Sequence, residues 1–349
     1  MVQIRPVIRN LTSYSTEEES SLLRFHANES PYEVPGEILD TAIARASKLN
    51  FHQYPDPDCG EIKELLAKNL GLKTDNLIFG NGSDELIGMI IQAFCGDGDK
   101  VLIPVPTFAM YKQIAIANNV SVAEVKLNTH FDIPGNFFEK IEFFQPKVVF
   151  LSYPNNPTGN LFTEEVIEKL LEDDSILTVI DEAYFHFSEK SFIDRVSEKK
   201  NLVVLRSFSK VGFAGLRIGY LAAHEELAKD LDKVRLPYNI NTFSQVLLAE
   251  ALKNWGLVEK STKVIIADRD AMVKELSNIN YLEVCKTSAN FILLKVNNFK
   301  ASYIYNVLKD NGILVRHFEG SDMLEHYIRV SVNKKKVNKK LIEVLQGIE

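Results

Sequence analysis

Residues 147–184 read KVVFLSYPNNPTGNLFTEEVIEKLLEDDSILTVIDEAY, and the two apolar runs in this stretch decide the fold. Lys147–Ser152 (KVVFLS) and Ile176–Ile180 (ILTVI) are short, continuous and rich in Val, Ile and Leu. Runs without polar alternation are strands buried on both faces. Similar runs stand at Lys100–Pro104, Val120–Leu127, Asn201–Leu205 and Arg217–Ala222, while helical spacing marks 36–49, 61–70, 85–95 and 107–119. Such alternation predicts an α/β fold whose mostly parallel sheet is covered by helices on both faces. After about residue 240 the pattern changes. One long helical stretch from Ser244 to about Asn278 reads as a connector, followed by strands at 282–287, 290–296 and 327–332 and helices at 299–311 and 334–347. The expected division is a large domain at 31–240 and a smaller α+β domain formed by 241–349 with 1–30, the latter including an N-terminal arm.

A chain of 349 residues suits about two domains. With 46% hydrophobic and 25% charged residues it has material for a sizeable core. A net charge of −7 and a pI near 5.6 argue against broad nucleic-acid or anionic-membrane binding. They leave room for an anionic substrate, because a few arginines in a cleft set the local field. Cys59, Cys95 and Cys285 are far apart and lack metal spacing, so neither a disulfide framework nor a metal site is expected. The N-terminal stretch has no apolar signal core and no run of 18 apolar residues occurs; a cytoplasmic protein is expected.

In open parallel sheets, ligands collect beyond the carboxyl ends of the strands. Four segments fall there. Gly80-Asn81-Gly82-Ser83-Asp84-Glu85 follows the short strand LIF and opens an apolar helix. Its glycines and free N–H groups suit a phosphate, or it is a plain turn with a Ser or Asp cap. Tyr153-Pro154-Asn155-Asn156-Pro157-Thr158-Gly159 is a stiff loop that either merely turns the chain or fixes Asn156 as a hydrogen-bond donor. Asp181-Glu182-Ala183-Tyr184 puts a carboxylate at the end of a buried strand, which is costly without a partner unless it has reached solvent. Arg206-Ser207-Phe208-Ser209-Lys210, with Gly212, Gly215 and Arg217, ends on a lysine. Such a lysine is ordinarily solvated; its functional use is an amine that condenses with an aldehyde.

These segments, in this order, resemble the fold-type-I pyridoxal-phosphate enzymes, and within them the aminotransferases related to histidinol-phosphate aminotransferase. YPNNPTG, DEAY and SFSK-x-GFAGLR carry the resemblance, together with HANESPYEVP near residue 26, HQYPDP at 52–57 and YIRVSVN at 327–333. It covers nearly the whole chain. The resemblance implies pyridoxal 5'-phosphate as cofactor, with Lys210 holding it as a Schiff base and then serving as the base for proton transfer. It implies Asp181 facing the pyridine nitrogen, which keeps that nitrogen protonated. Tyr184 and Asn156 would bond the ring oxygen, and Phe108 would stack on the ring or else be a core residue. Gly82, Ser83, Asp84, Ser207, Ser209 and Arg217 would bind the phosphate. Arg217 follows Lys210 by seven residues where some relatives show eight, which bears on its reach. Tyr54 would cross a dimer interface to the partner's cofactor phosphate, so a homodimer with shared sites is implied.

For the substrate, Arg316 (ILVRHF) and Arg329 (YIRVSV) lie in strand patterns, where arginines are usually surface residues. The resemblance makes them a pair that grips a phosphate or a carboxylate. It implies small-molecule substrates, a phosphorylated amino alcohol with 2-oxoglutarate or glutamate, and transamination in histidine biosynthesis. Rivals of the same fold are an aromatic or broad-specificity aminotransferase and a threonine-phosphate decarboxylase. A regulator built on this domain would carry a basic helical pair ahead of it, and about 25 residues precede the first motif here.

Overall fold

The structure is a computed structural model that describes residues 2–9, 11 and 22–348. The expected N-terminal arm falls in part, at 1, 10 and 12–21, outside the described residues. The strands are β1 (Leu23–Phe25), β2 (Leu77–Gly80), β3 (Lys100–Val105), β4 (Ser121–Lys126), β5 (Val148–Ser152) and β6 (Leu177–Asp181). They continue with β7 (Leu202–Ser207), β8 (Gly219–Ala223), β9 (Leu282–Val284), β10 (Phe291–Val296), β11 (Ile313–His317) and β12 (Tyr327–Ser331). Seven of them form the large sheet in the order β2-β8-β7-β6-β5-β3-β4. All its pairs are parallel except those of β8, which runs against both neighbours.

Every residue of β5, β6, β7 and β8 is buried, as continuous apolar runs require. Alternate residues feed two cores. Val149, Leu151 and Ile180 join one, while Val148, Phe150 and Val179 join the other. Strand β4 differs: Ala123 and Val125 are buried while Ser121, Glu124 and Lys126 are exposed, because it is an edge strand with one wet face. Register then brings the functional segments together. Ser152 pairs with Asp181 and Asp181 with Leu205, so the loop after β5, the DEAY turn and the SFSK turn leave the sheet side by side.

The second sheet has the order β1-β11-β12-β10-β9, with β1 parallel to β11 and the other pairs antiparallel. The expected single helix from Ser244 to Asn278 is instead two, Thr242–Lys253 and Trp255–Leu276. Asn254 breaks it with non-helical dihedrals (φ −118°, ψ 31°), and its side-chain amide donates to the carbonyl of Glu250. Asparagine competes with the helical ladder in this way. The first helix packs on Gly36–Ala46 and Gly60–Leu70, the second on Lys335–Gln346 and β10.

Behind the site, the ends of β6 and β7 are joined by a buried ion pair. Arg206 Nη2 lies 2.8 Å from Glu182, with side chains 3% and 0% exposed. Ser191 and the backbone N–H of Phe192 also donate to Glu182, and the Arg206 guanidinium lies 3.6 Å from the centre of the Phe185 ring. Removing one member of such a pair leaves an uncompensated buried charge, at a cost of about 3–5 kcal/mol. Arg206→Met is therefore expected to lose about that much stability in urea unfolding, and Glu182→Gln added to it should recover part of the loss. A single variant within about 1 kcal/mol of the parent contradicts this.

Candidate active site

A cavity of about 1060 Å³ opens at the carboxyl ends of β5, β6 and β7 and is walled on its far side by β11 and β12. Every residue to which the resemblance assigns a role lines it except Tyr54. Tyr54 is 81% exposed and stacks on Tyr238 at 4.5 Å between ring centres.

Asp181 ends β6 and is 3% exposed. Its carboxylate accepts from the Tyr111 hydroxyl (2.7 Å) and from the Ala183 N–H (3.0 Å). Among the described residues no cation lies within ion-pair distance of it. Burial pushes its carboxyl up to about 6, against the pull of these two donors. Lys210 sits in the turn Phe208–Val211, with Nζ 3.5 Å from the Ala27 carbonyl and 5.7 Å from the centre of the Tyr184 ring. The Tyr184 hydroxyl accepts from Asn28 Nδ2 at 3.0 Å.

One end of the cavity begins at Gly82, which has φ +81° and precedes the helix Ser83–Phe94. A Cβ there would lie 2.6 Å from the Arg217 guanidinium, and one on Gly219 would lie 2.8 Å from the Ser83 nitrogen. These approaches need glycine, since a side chain would fill the space beside the free N–H groups. Despite its shorter spacing Arg217 reaches this end, where it pairs with Asp84 at 3.4 Å. Ser207 Oγ accepts from the Ser209 N–H at 3.1 Å, and the two hydroxyls are 2.9 Å apart. Phe108 caps the helix Ala109–Ala117 and meets Tyr111 edge-on at 5.4 Å.

Arg316 and Arg329 are direct partners across the antiparallel pair β11·β12. Arg329, 8% exposed, donates to Asn156 Oδ1 (2.5 Å) and to the His26 carbonyl (2.6 Å). It thus ties the loop after β5 to the second sheet.

Sequence reasoning missed Tyr111 and Asn28. Tyr111 stands three residues after Phe108 and so shares its face of the helix, a spacing the sequence offered. Asn28 lay inside the quoted HANES segment, but its reach to Tyr184, 156 residues away, leaves no local trace. Asn155 is fully buried and holds the loop: its amide donates to the Pro106 carbonyl and Thr158 hydroxyl and accepts from Thr107.

The sequence model of the family described as aminotransferase class I and II matches residues 20–345. The chain belongs to this family. It is 38% identical to the histidinol-phosphate aminotransferase of Thermoanaerobacter pseudethanolicus, over 99% of this chain and 98% of that one. Of solved structures, the histidinol-phosphate aminotransferase of Clostridium acetobutylicum aligns with TM-score 0.84 and 28% identity, covering 93% of this chain and 98% of the other. That of Sinorhizobium meliloti, in complex with pyridoxal-5'-phosphate, aligns at 0.89 with 23% identity over 99% and 97%, which speaks for the fold.

The raised Asp181 carboxyl makes a pH prediction for this class I and II aminotransferase without ligand. The folded protein holds a proton from about pH 6 downward, whereas the unfolded chain releases it near 3.8. Stability from this group is therefore present below about pH 4 and is lost as pH rises to about 6. Asp181→Asn has no such ionisation, so its cofactor-free form should gain on the parent in melting temperature between pH 4 and 6.5. A constant difference across that range contradicts the assignment.

Proposed function

We propose that this protein binds pyridoxal 5'-phosphate in this cavity and transfers the amino group of L-histidinol phosphate to 2-oxoglutarate. The products are 3-(imidazol-4-yl)-2-oxopropyl phosphate and glutamate. The whole-length relatives of that name support this reaction over the decarboxylase and broad-specificity readings. The observation that carries the site assignment is the buried Asp181 carboxylate without a cation, for a protonated ring nitrogen is the partner it lacks. The glycine-lined cradle before Ser83 fits the phosphate, so the residues fit the group at both ends.

When bound, the cofactor supplies an aldehyde that takes up the substrate amine and a ring that accepts the electron pair left at the substrate carbon. Asp181 would hold the proton on the ring nitrogen, and Tyr111 would orient Asp181. Lys210 would tether the aldehyde and, once displaced, carry the proton taken from the amine-bearing carbon. Tyr184 and Asn156 would donate to the ring oxygen. Donation from Arg329 to Asn156 Oδ1 leaves Nδ2 as that amide's donor. Phe108 would cover the ring. Ser207, Ser209, Arg217 and the N–H groups beyond Gly82, beside Asp84, would hold the phosphate. Arg316 and Arg329 would grip the substrate's anionic end, a phosphate in one half-reaction and a carboxylate in the other.

Division at 31–240 belongs to the same reading, supported by β1 joining the C-terminal sheet. So do a cytoplasmic location and a homodimer with shared sites. The exposed Tyr54, outside its own chain's cavity, supports the latter. Among the described residues no helix is long and apolar enough to cross a membrane.

Lys210→Ala is expected to lose turnover by several orders of magnitude, and borohydride reduction of the parent holoenzyme should label Lys210 in peptide mapping. Label on another lysine overturns the assignment. Arg329→Ala removes charge-assisted bonds worth about 2–5 kcal/mol. It should therefore raise KM for histidinol phosphate roughly 30-fold or more. Histidinol, which lacks the anion, should be affected far less; equal losses would mean that Arg329 is structural.

A further inference from the structure

The row of side chains facing the cavity from the second sheet is longer than the arginine pair. Strand β1 runs parallel to β11 with Arg24 beside Leu314 and Phe25 beside Val315. The pairing ends there; His26 is the next residue, near enough to Arg316 to feel its charge, and Arg316 itself faces Arg329 on β12. Alternation agrees with this: Phe25, Val315, Ile328 and Val330 enter the core, while His26, Arg316 and Arg329 line the cavity. His26 has a buried Nδ1 with no hydrogen-bond partner among the described residues. Its backbone carbonyl accepts from Arg329, which fixes where the imidazole begins. A buried nitrogen without a partner is unfavourable unless a ligand completes it. The charges around it are Arg24 and Glu29 on its own segment, Arg316 on β11 and Arg329 on β12. Burial first, and then the three arginines, hold the imidazole below its usual range against the opposing pull of Glu29, so it meets an incoming anion as a neutral hydrogen-bonding group.

We propose that His26 is a third substrate-binding residue, its imidazole donating beside Arg316 and Arg329 to the oxyanion at the far end of the substrate. This rests on the assignment of the arginine pair to that anion. Phosphate of the amino donor and side-chain carboxylate of glutamate share the chemistry, and separate measurements distinguish them. The role is selection, since His26 adds a bond to a group that the arginines already hold. Its removal therefore acts on KM and leaves kcat nearly unchanged.

The test uses holoenzyme carrying His26→Phe or His26→Asn, with KM and kcat for histidinol phosphate, glutamate and histidinol, and inhibition by inorganic phosphate. His26→Phe removes the nitrogen but keeps a flat ring. It is expected to raise KM about 10-fold for whichever anionic substrate uses the bond, with kcat within about 3-fold and histidinol unchanged. A rise for histidinol phosphate and weaker inhibition by phosphate point to the phosphate; a rise for glutamate alone points to the carboxylate. His26→Asn, whose amide can occupy the place of Nδ1, should recover most of the loss. An equal rise for histidinol, or no rise for either anion, overturns the proposal. Arg329→Ala is run alongside: if it spares anionic substrates, the arginine assignment itself fails. If it impairs them while His26→Phe does not, only the role of His26 fails.

Discussion

A carboxylate buried at the end of a strand, with no cation paired to it among the described residues, is the constraint around which this molecule is arranged. Asp181 and Glu182 are consecutive and both buried, yet they are satisfied in opposite ways. Successive side chains along an extended chain point to opposite sides. Glu182 turns into the protein, where Arg206, Ser191 and the Phe192 N–H complete it. Asp181 turns to the cavity, where two neutral donors meet it and burial pushes its carboxyl up to about 6. The inner pair is a closed arrangement that fixes the ends of β6 and β7. The outer carboxylate is an open one whose cost a cationic ligand offsets, so ligand binding and stability are linked through it.

The far wall of the cavity comes from the second sheet, and polar bonds tie the two halves at the site. Asn28 donates to Tyr184 and is itself held by Ser331, while Asn290 donates to the Asn28 carbonyl. Arg329 reaches Asn156, and the Ser288 N–H donates to the Gly159 carbonyl. The stiff loop after β5 is thus gripped from both sides. On the proposed assignment, substrate contacts from β12 and ring contacts from the loop after β5 would share the Arg329–Asn156 bond, so a shift at one would be felt at the other.

Much of the large sheet was legible because its central strands are apolar without interruption, and that pattern has one physical cause, burial on both faces. The four segments at strand ends were legible because glycines, prolines and charges there break an otherwise apolar rhythm. The break at Asn254 was not, since the sequence on both sides keeps helical spacing and one side-chain amide decides the matter. Nor was the service of Tyr111 to Asp181, which depends on how the helix Ala109–Ala117 carries that ring across to Phe150 of β5 and Asp181 of β6. The row His26–Arg316–Arg329 joins residues about 290 and 13 apart in the chain; strand register aligns the two arginines, and the bond from Arg329 to the His26 carbonyl brings His26 to them.

The two ends of the cavity proposed to bind anions differ in construction, and that difference bears on what each could do. The end at Gly82 is built of backbone N–H groups at a helix start, two serine hydroxyls tied to each other and one arginine held in a left-handed backbone turn. Those dipoles are fixed by the fold and suit one group of one shape, as the proposed cofactor phosphate would be. The end at β11 and β12 is built of long side chains on neighbouring strands: Arg329 is buried and tied to Asn156 and the His26 carbonyl, while the half-buried Arg316 can shift its charged tip by rotation. Such a site can accept a tetrahedral phosphate in one half-reaction and a planar carboxylate in the other, at some loss of fit to each. A chain carrying a net charge of −7 can serve anionic substrates because this local cluster, and not the total, sets the field in the cavity.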